Sequence, residues 1–471
     1  AATDVAVLLG RDAADALDKL TTRGLLEKVA PGPAGVPLEG AYRFRNEMTM
    51  EVAYGGLPAA ARRELHRAAA ERLQKSRSYR RGPDDAEIAR HLALAGEAIA
   101  ASRAFVTAGL YARDVSGAAL ALRHFTRALE LLPAEAAHAP QRFEIHAERE
   151  TLLRALGRRP AQLREVHAMR KAATAAPPGT ASDRMLAQAL TRLARFYLEV
   201  ARAPQARRAL VQALETARRA GDKLVESEAL RLEAQLLKQI GRNAEALALC
   251  RQALALCGED RPGLLQRGMI LNSLGTVHMH MGQPREAIAA YAEALVIYRR
   301  LGVRRMEAAT LNNMGIVSSS LGEFEEALAH YKRSLRIDQE LGDRLALGIK
   351  LSNIGQCYLD LGDDDKAQRY LGKALSLAGQ LGDSSGATDA MISLGQVHLK
   401  RGDTRASREM LEKGLAEAIA GRNRYQEIRA LVYLAFCDVA PGGRAEGALE
   451  YARSAARLAR DAVIPQGEVY A

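Results

Sequence analysis

The stretch LNNMGIVSSSLGEFEEALAHYKRSL, residues 311–335, decides the fold, because the chain writes close versions of it on either side. LNSLGTVHMHMGQPREAIAAYAEAL stands at 271–295 and LSNIGQCYLDLGDDDKAQRYLGKAL at 351–375. In register, Gly275, Gly315, Gly355 and Gly395 recur at a spacing of 40. A second glycine follows each, at Gly282, Gly322, Gly362 and Gly402, and then Ala287, Ala327, Ala367 and Ser407. The small residues Ala294, Ser334, Ala374 and Gly414 come next, each followed by leucine. An earlier unit fits after a spacing of 41 (Ala234, Gly241, Ala246, Ala253), and a degraded one uses Ala194, Ala201, Ala206 and Ala213. Self-similarity at this period is the signature of a solenoid of stacked helical pairs.

The spacing has a physical reading. The first glycine falls inside a helix A, where a side chain would hold the partner helix away. The second falls at the turn, where it can take positive φ and end helix A. The alanine lies on helix B and is expected to pack near the first glycine. Tyr291, Tyr331, Leu371 and Leu411, then Leu295, Leu335, Leu375 and Leu415, fill the remaining inward positions. Each pair leaves an apolar edge that the next pair covers.

Bulk composition agrees with a folded chain: 48% hydrophobic and 26% charged over 471 residues. No apolar run approaches the roughly 20 residues that cross a bilayer, and the start AATDVAVLLGRDAADAL lacks the pattern of a signal peptide. The four cysteines are scattered, with Cys250 and Cys257 expected on one helix and no partner set nearby, which favours reduced thiols in a cytoplasmic protein. The net charge of +11 is spread along the chain, and the aromatic content of 4% offers few platforms for stacking bases. Nucleic acid is therefore the least favoured partner.

The repeat resembles the tetratricopeptide repeat, whose small residues stand at the eighth, twentieth and twenty-seventh positions. It departs from the common form in lacking the closing proline. Helix B instead runs on to a glycine, often Gly-Asp, as at Gly221-Asp222, Gly342-Asp343 and Gly382-Asp383, with Gly302 alone. The longer unit resembles those of bacterial peptide-sensing regulators, kinesin light chain and the Leu-Gly-Asn scaffold proteins. A single unit of the shorter kind stands upstream, with Gly109, Ser116, Ala121, Phe125, Ala128 and Pro133. Drifted hairpins are expected from 141 to 174, then a loop over 172–183.

The first hundred residues read differently. DAADALDKLTTRGLLEKV predicts a helix carrying Leu17, Leu20, Leu25 and Leu26 and broken at Gly24; PGPAGVPLEG predicts a loop, and YRF a short strand. Further helices are expected at LPAAARRELHRAAAERLQ and DDAEIARHLALAGE. Tyr42, Phe44, Glu51, Val52, Ala53, Tyr54, Leu57, Pro58, Arg62, Leu65 and His66, then Ile88, Ala89, His91, Ala95 and Gly96, stand at the steps of a segment found in STAND-class ATPases (signal-transduction ATPases with numerous domains). There it follows a winged helix. The resemblance implies a tetratricopeptide arm of a bacterial multidomain ATPase, of a kind often fused to a serine/threonine kinase or nucleotidyl cyclase. Asn46 stands where that family commonly has histidine. No GxxxxGK[ST] phosphate loop and no HRD or DFG signature occurs. The expectation is thus an excised arm without its ATPase domain.

The fold expected is all-α: a right-handed tetratricopeptide-repeat superhelix of about 40-residue hairpins, preceded by a partial winged-helix segment. The expected divisions are 1–57 (partial winged helix), 58–100 (helical linker), 101–180 (degenerate repeats) and 181–463 (the array). No catalytic, metal or cofactor site is expected. His66 and His91 read as structural or surface residues, and His278 and His280 are misdirected for a metal. Asp363-Asp364-Asp365 suits the field at a helix N-terminus.

The candidate surface is the inner groove, lined by helix A. Its fifth and sixth positions read Asn272/Ser273, Asn312/Asn313, Ser352/Asn353 and Ile392/Ser393; its ninth reads Thr276, Ile316, Gln356 and Gln396. Asp360 lies further along. By the resemblance, Asn313 and Asn353 would hold an extended peptide backbone, since an amide both donates and accepts. The alternative is that these asparagines bridge neighbouring helices. The expected function is a non-enzymatic interaction or sensing arm whose groove takes a protein or peptide and which contacts its own ATPase domain. A constitutive scaffold is the second reading, an accessory nucleic-acid module the third. No membrane partner is expected.

Overall fold

The computed structural model describes residues 13–28, 42–76, 78–115, 117–440 and 445–461. The chain divides into two compact units, residues 1–200 with 215–221, and 201–214 with 222–471.

In the first unit, α1 (Ala13–Thr22) leads into a two-stranded antiparallel sheet of β1 (Leu26–Lys28) and β2 (Tyr42–Phe44), paired Leu26↔Phe44 and Lys28↔Tyr42. The helix breaks where the sequence predicts, with Gly24 turning at φ +72°. Leu25 and Leu26, expected to carry the helical face on, lie beyond the break, and Leu26 buries itself from a strand with 1% exposure. Helices α2 (Glu47–Gly55), α3 (Ala59–Lys75) and α4 (Asp85–Leu94) follow. Next come hairpins α5 (Ala98–Val115) with α6 (Ala118–Leu131) and α7 (Ala139–Ala155) with α8 (Arg159–Ala175), and then α9 (Thr180–Glu199). The loop expected over 172–183 shrinks to 176–179, helix continuing on both sides. Of the upstream repeat residues, Ser116 lies outside the described residues. Gly109 packs as its place demands: a Cβ there would come 2.7 Å from the Phe125 ring. Likewise the PGPAGVPLEG loop and both chain ends fall outside the described residues.

Helix α10 (Ala203–Ala220) is shared by the two divisions. The second unit continues with α11 (Lys223–Gln239), α12 (Asn243–Ala255), α13 (Arg261–His280), α14 (Pro284–Leu301), α15 (Arg304–Ser320), α16 (Phe324–Leu341), α17 (Arg344–Asp360), α18 (Asp364–Leu381), α19 (Ser384–Lys400), α20 (Thr404–Ala420), α21 (Arg424–Val439) and α22 (Ala445–Asp461). From α11 onward each odd-numbered helix is a helix A, paired with the helix B after it. This is the all-α tetratricopeptide-like solenoid that the sequence predicts.

The repeated glycines do two jobs. Gly282, Gly322, Gly362 and Gly402 sit at φ +69°, +78°, +81° and +79°, closing helix A in the left-handed region. The helix-A glycines instead make room. A Cβ on Gly275 or Gly315 would fall 2.6 Å from the ring of Tyr291 or Tyr331, and one on Gly355 or Gly395 2.6 Å from Leu371 or Leu411. The group that presses on the glycine is thus this larger side chain, one helical turn beyond the alanine expected there. Ala287, Ala327 and Ala367 are fully buried in the same layer. Burying such a Tyr or Leu contributes on the order of 1.5–3 kcal/mol, before ordering entropy is subtracted.

The Gly-Asp junctions restart the pattern. Gly342 and Gly382 cap helix B in the left-handed conformation. Asp343 and Asp383 then accept from the backbone N–H of Ala346 (3.1 Å) and Gly386 (3.0 Å). Such an N-cap is worth about 1 kcal/mol. Asp363 opens α18 the same way, accepting from the Lys366 N–H at 3.1 Å, so the acidic triplet has a helix-starting role.

Candidate functional site: the inner face of the A helices

Successive A helices of the second unit touch one another from α11 to α21, which makes their shared face a continuous lining. The site asparagines meet there in pairs. Asn313 Nδ2 donates to Asn272 Oδ1 at 3.2 Å, and Thr310 Oγ1 donates to the same oxygen at 3.2 Å. One repeat on, Asn353 Nδ2 donates to Asn312 Oδ1 at 2.9 Å. In α15 and α17 the sixth-position amide is therefore tied to the fifth-position amide of the A helix before it. Asn312, at 8% exposure, is buried, whereas Asn272, Asn313 and Asn353 are only part-buried. Each donating amide uses one N–H in the ladder, leaving a second N–H and its carbonyl oxygen. Bridging thus occurs and does not exhaust the bonding capacity of Asn313 or Asn353.

Gln356 and Asp360 come together on α17, with Gln356 Nε2 donating to Asp360 Oδ1 at 3.1 Å. Gln356 Oε1 is buried and accepts no hydrogen bond from the protein. Asp360 is open to solvent along the groove yet has protein on its sides. Burial pushes its carboxyl above the usual range, against the Gln356 hydrogen bond and the positive charges of Lys400 and Arg429. Gln396 is buried at 5% exposure and lies outside these pairs.

The sequence reading missed a second ladder. Arg429 on α21 donates to Asp389 Oδ1 (2.6 Å) and Ser393 Oγ (3.2 Å) on α19, and Lys400 Nζ donates to the Leu359 carbonyl at 2.5 Å. Its signal was available: Asp389 and Arg429 are opposite charges one 40-residue period apart. Apolar groups stand beside these polar rungs, with Ile316, Ile349 and Phe436 exposed at 44%, 50% and 54%. The face can bond a main chain and cover apolar side chains, but it brings together no nucleophile, base and acid. Among the described residues no group of three His, Cys, Asp or Glu could hold a metal ion, and no helix is long and apolar enough to cross a membrane. Cys250, Cys357 and Cys437 are buried, and burial pushes the thiols of Cys250 and Cys357 up to about 11. Helix α12 ends before Cys257, so Cys250 and Cys257 do not share a helix as expected.

A family model described as tetratricopeptide repeat matches residues 266–340 and 347–416, and one described as anaphase-promoting complex subunit 5 matches 168–240. No curated protein matches. Among solved structures, the chain is similar to a signal transduction ATPase with numerous domains, with a tetratricopeptide repeat sensor, from Pyrococcus horikoshii. The identity is 16% and the TM-score 0.51, over 97% of this chain and 60% of that one. It is also similar to a Rap protein complexed with Competence and Sporulation Factor (15% identity, TM-score 0.53, 68% of this chain and 88% of that). A third likeness is to RapI in its apo form (14%, TM-score 0.50, 59% and 98%). These likenesses carry the fold.

Proposed function

We propose that this chain is a protein-interaction and ligand-sensing arm of a cytoplasmic bacterial signalling ATPase, with a peptide segment held in the groove of α13–α21. The observation that carries the reading is the asparagine ladder. Asn313 and Asn353 are fixed by their bonds to Asn272 and Asn312 and keep a donor and an acceptor for a ligand main chain. Preorganised amides lose less freedom on binding than mobile ones. Asp360 and Gln356 add polar contacts, and Ile316, Ile349 and Phe436 add apolar ones. The regulatory half of the reading is supported by the YRF to EVAY and LHR segments and by the likeness to the Pyrococcus protein, which covers 97% of this chain. The arm switches its engine only if the ligand binds one arrangement better than the other.

The test is capture from bacterial cytoplasm by the parent and by an Asn313→Ala/Asn353→Ala variant whose helicity matches the parent. A partner held by the parent and lost by the variant supports the groove. Equal capture by both sinks it. Adding the captured partner to the ATPase-bearing protein should then change nucleotide turnover; unchanged turnover leaves a constitutive scaffold.

A further inference from the structure

A second surface lies away from the inner positions of helix A. An open groove of about 670 Å³ runs between α10 and the end of α11, with Pro204, Val211, Leu236 and Ile240 as its apolar floor and Arg207 and Arg208 at its side. Val211 and Ile240 are exposed at 56% and 57%, high for β-branched aliphatic residues. A smaller, more enclosed extension of about 290 Å³ shares Arg207, Leu236 and Ile240 and reaches Glu233, Glu245 and Arg242, the last two paired with each other.

The repeat register shows what is missing from it. Arg207 follows Ala206 as Arg408 follows Ser407, so the two arginines hold the same place on helix B. Arg408 donates to Asp438 on the next helix A, a carboxylate with 5% exposure. The residue in the place of Asp438 on α11 is Leu237, three after Ala234 as Asp438 is three after Ala435. Arg207 therefore has no carboxylate at that place, and Glu233 and Glu245, which line the extension with it, make no ion pair with it. Neither Arg207 nor Arg208 has an ion-pair or hydrogen-bond partner among the described residues, although both border an apolar floor. In α16 an aliphatic residue holds the place of Arg207, where Leu328 is buried at 7% exposure.

We infer that this groove docks an acidic amphipathic segment of another protein, seating two aliphatic side chains one helical turn apart on Val211, Leu236 and Ile240 and placing its carboxylates on Arg207 and Arg208. Guanidinium groups suit carboxylates because their N–H pairs match both oxygens. An apolar floor beside such a pair gives affinity and orientation together. The trough is open along its length. An acyl chain would leave one side in water, whereas a helix needs to bury only one face.

The probe is a fluorescein-labelled helical peptide with leucines on one face and glutamates elsewhere. A peptide of the same composition in scrambled order serves as the control. Anisotropy should show saturable binding of the patterned peptide alone. Hydrogen–deuterium exchange should slow at 203–212 and 236–240. Arg207→Glu/Arg208→Glu should weaken binding by about tenfold or more, with Ile240→Ser also weakening it. Arg300→Glu/Arg336→Glu, an equal change of net charge on exposed sites elsewhere, should leave it within about twofold. Circular dichroism verifies the fold of each variant, and Arg207→Lys/Arg208→Lys, which keeps the charge, should retain part of the binding. No saturable binding, equal binding of the scrambled peptide, equal loss in the two charge-reversed variants, or protection appearing on α13–α21 instead would each overturn the assignment.

Discussion

Adding one methyl group at Gly315 should destabilise the array, although the same change elsewhere in a helix stabilises it. Gly315 lies within α15, and Gly→Ala in a helix interior ordinarily gains about 0.8–1 kcal/mol. Here the new Cβ would stand 2.6 Å from Tyr331 Cε1 and 2.7 Å from Cδ1. Ordinary carbon contacts lie near 3.5–4 Å, so the ring must retreat by about 1 Å. Tyr331 has 3% exposure and little room to do so. Overpacking of this kind costs about 1–3 kcal/mol, which exceeds the gain in propensity. The net expectation for Gly315→Ala is a loss of about 1 kcal/mol. Gly372 supplies the contrast, being inside α18 with nothing within 4 Å of its added Cβ. Gly372→Ala should gain about 0.5–1 kcal/mol. Solenoids unfold by segments, so urea melts followed by circular dichroism need local exchange rates at α15 and α16 beside them. Adding Tyr331→Ala should make the Gly315 effect less than additive, since the obstructing ring is gone. Were Gly315→Ala to slow exchange locally as much as Gly372→Ala slows it at α18, the close-approach explanation of the repeated glycine would be wrong.

Other outcomes are equally specific. Asn353→Ala should cost about 0.5–1.5 kcal/mol by removing the bond to Asn312, read as faster exchange in α15 and α17 and not in α21. Lys350 Nζ lies 3.3 Å from Asp338 Oδ2, in ion-pair range but off the line of a hydrogen bond, with side-chain exposures of 8% and 2%. Lys350→Met alone should cost about 3–5 kcal/mol, and Lys350→Met/Asp338→Leu should recover most of it; a double variant as weak as the single one refutes this. In the first unit, Tyr54 OH lies 2.7 Å from His66 Nε2, and His66 Nδ1 lies 2.9 Å from His91 Nδ1. Burial and then the His91 charge hold His66 below the usual histidine range, and burial holds His91 below it, with Glu87 opposing and Arg90 reinforcing. A depressed folded value means that this contribution is present above the unfolded pKa of about 6.5 and is lost as pH falls through the lower folded values. Exchange in α2–α4 should therefore accelerate only in that acid window; acceleration beginning above it would contradict the sign.

What the sequence made legible follows from where the physics repeats. The glycine register fixed the hairpins because the same steric demand returns every 40 residues. The choice of side chain against each glycine was less legible, since Ala287 and Tyr291 both lie on the inner face of α14 and only packing separates them. Leu25 and Leu26 misled because their helical spacing from Leu17 and Leu20 continues across Gly24. The asparagine bridges were one of two readings, and the spacing of 41 from Asn272 to Asn313 and from Asn312 to Asn353 favours them once adjacent A helices are known to touch. The orphaned Arg207 needed both the register and the observed Arg408–Asp438 pair.

The Gly-Asp junctions bear on how such an array changes length. Gly342 terminates one helix by its own backbone freedom, and Asp343 starts the next with its own carboxylate, so stop and start signals travel on adjacent residues. A segment cut from Asp343 through Gly382 carries a start at one end and a stop at the other, and joining its copies regenerates the same junction. Duplication or deletion of whole segments therefore leaves every such cap intact, whereas an indel of a few residues within a helix throws its inward positions out of register. Length in this architecture is inherited in quanta, and the groove can gain or lose a rung without relearning how to fold.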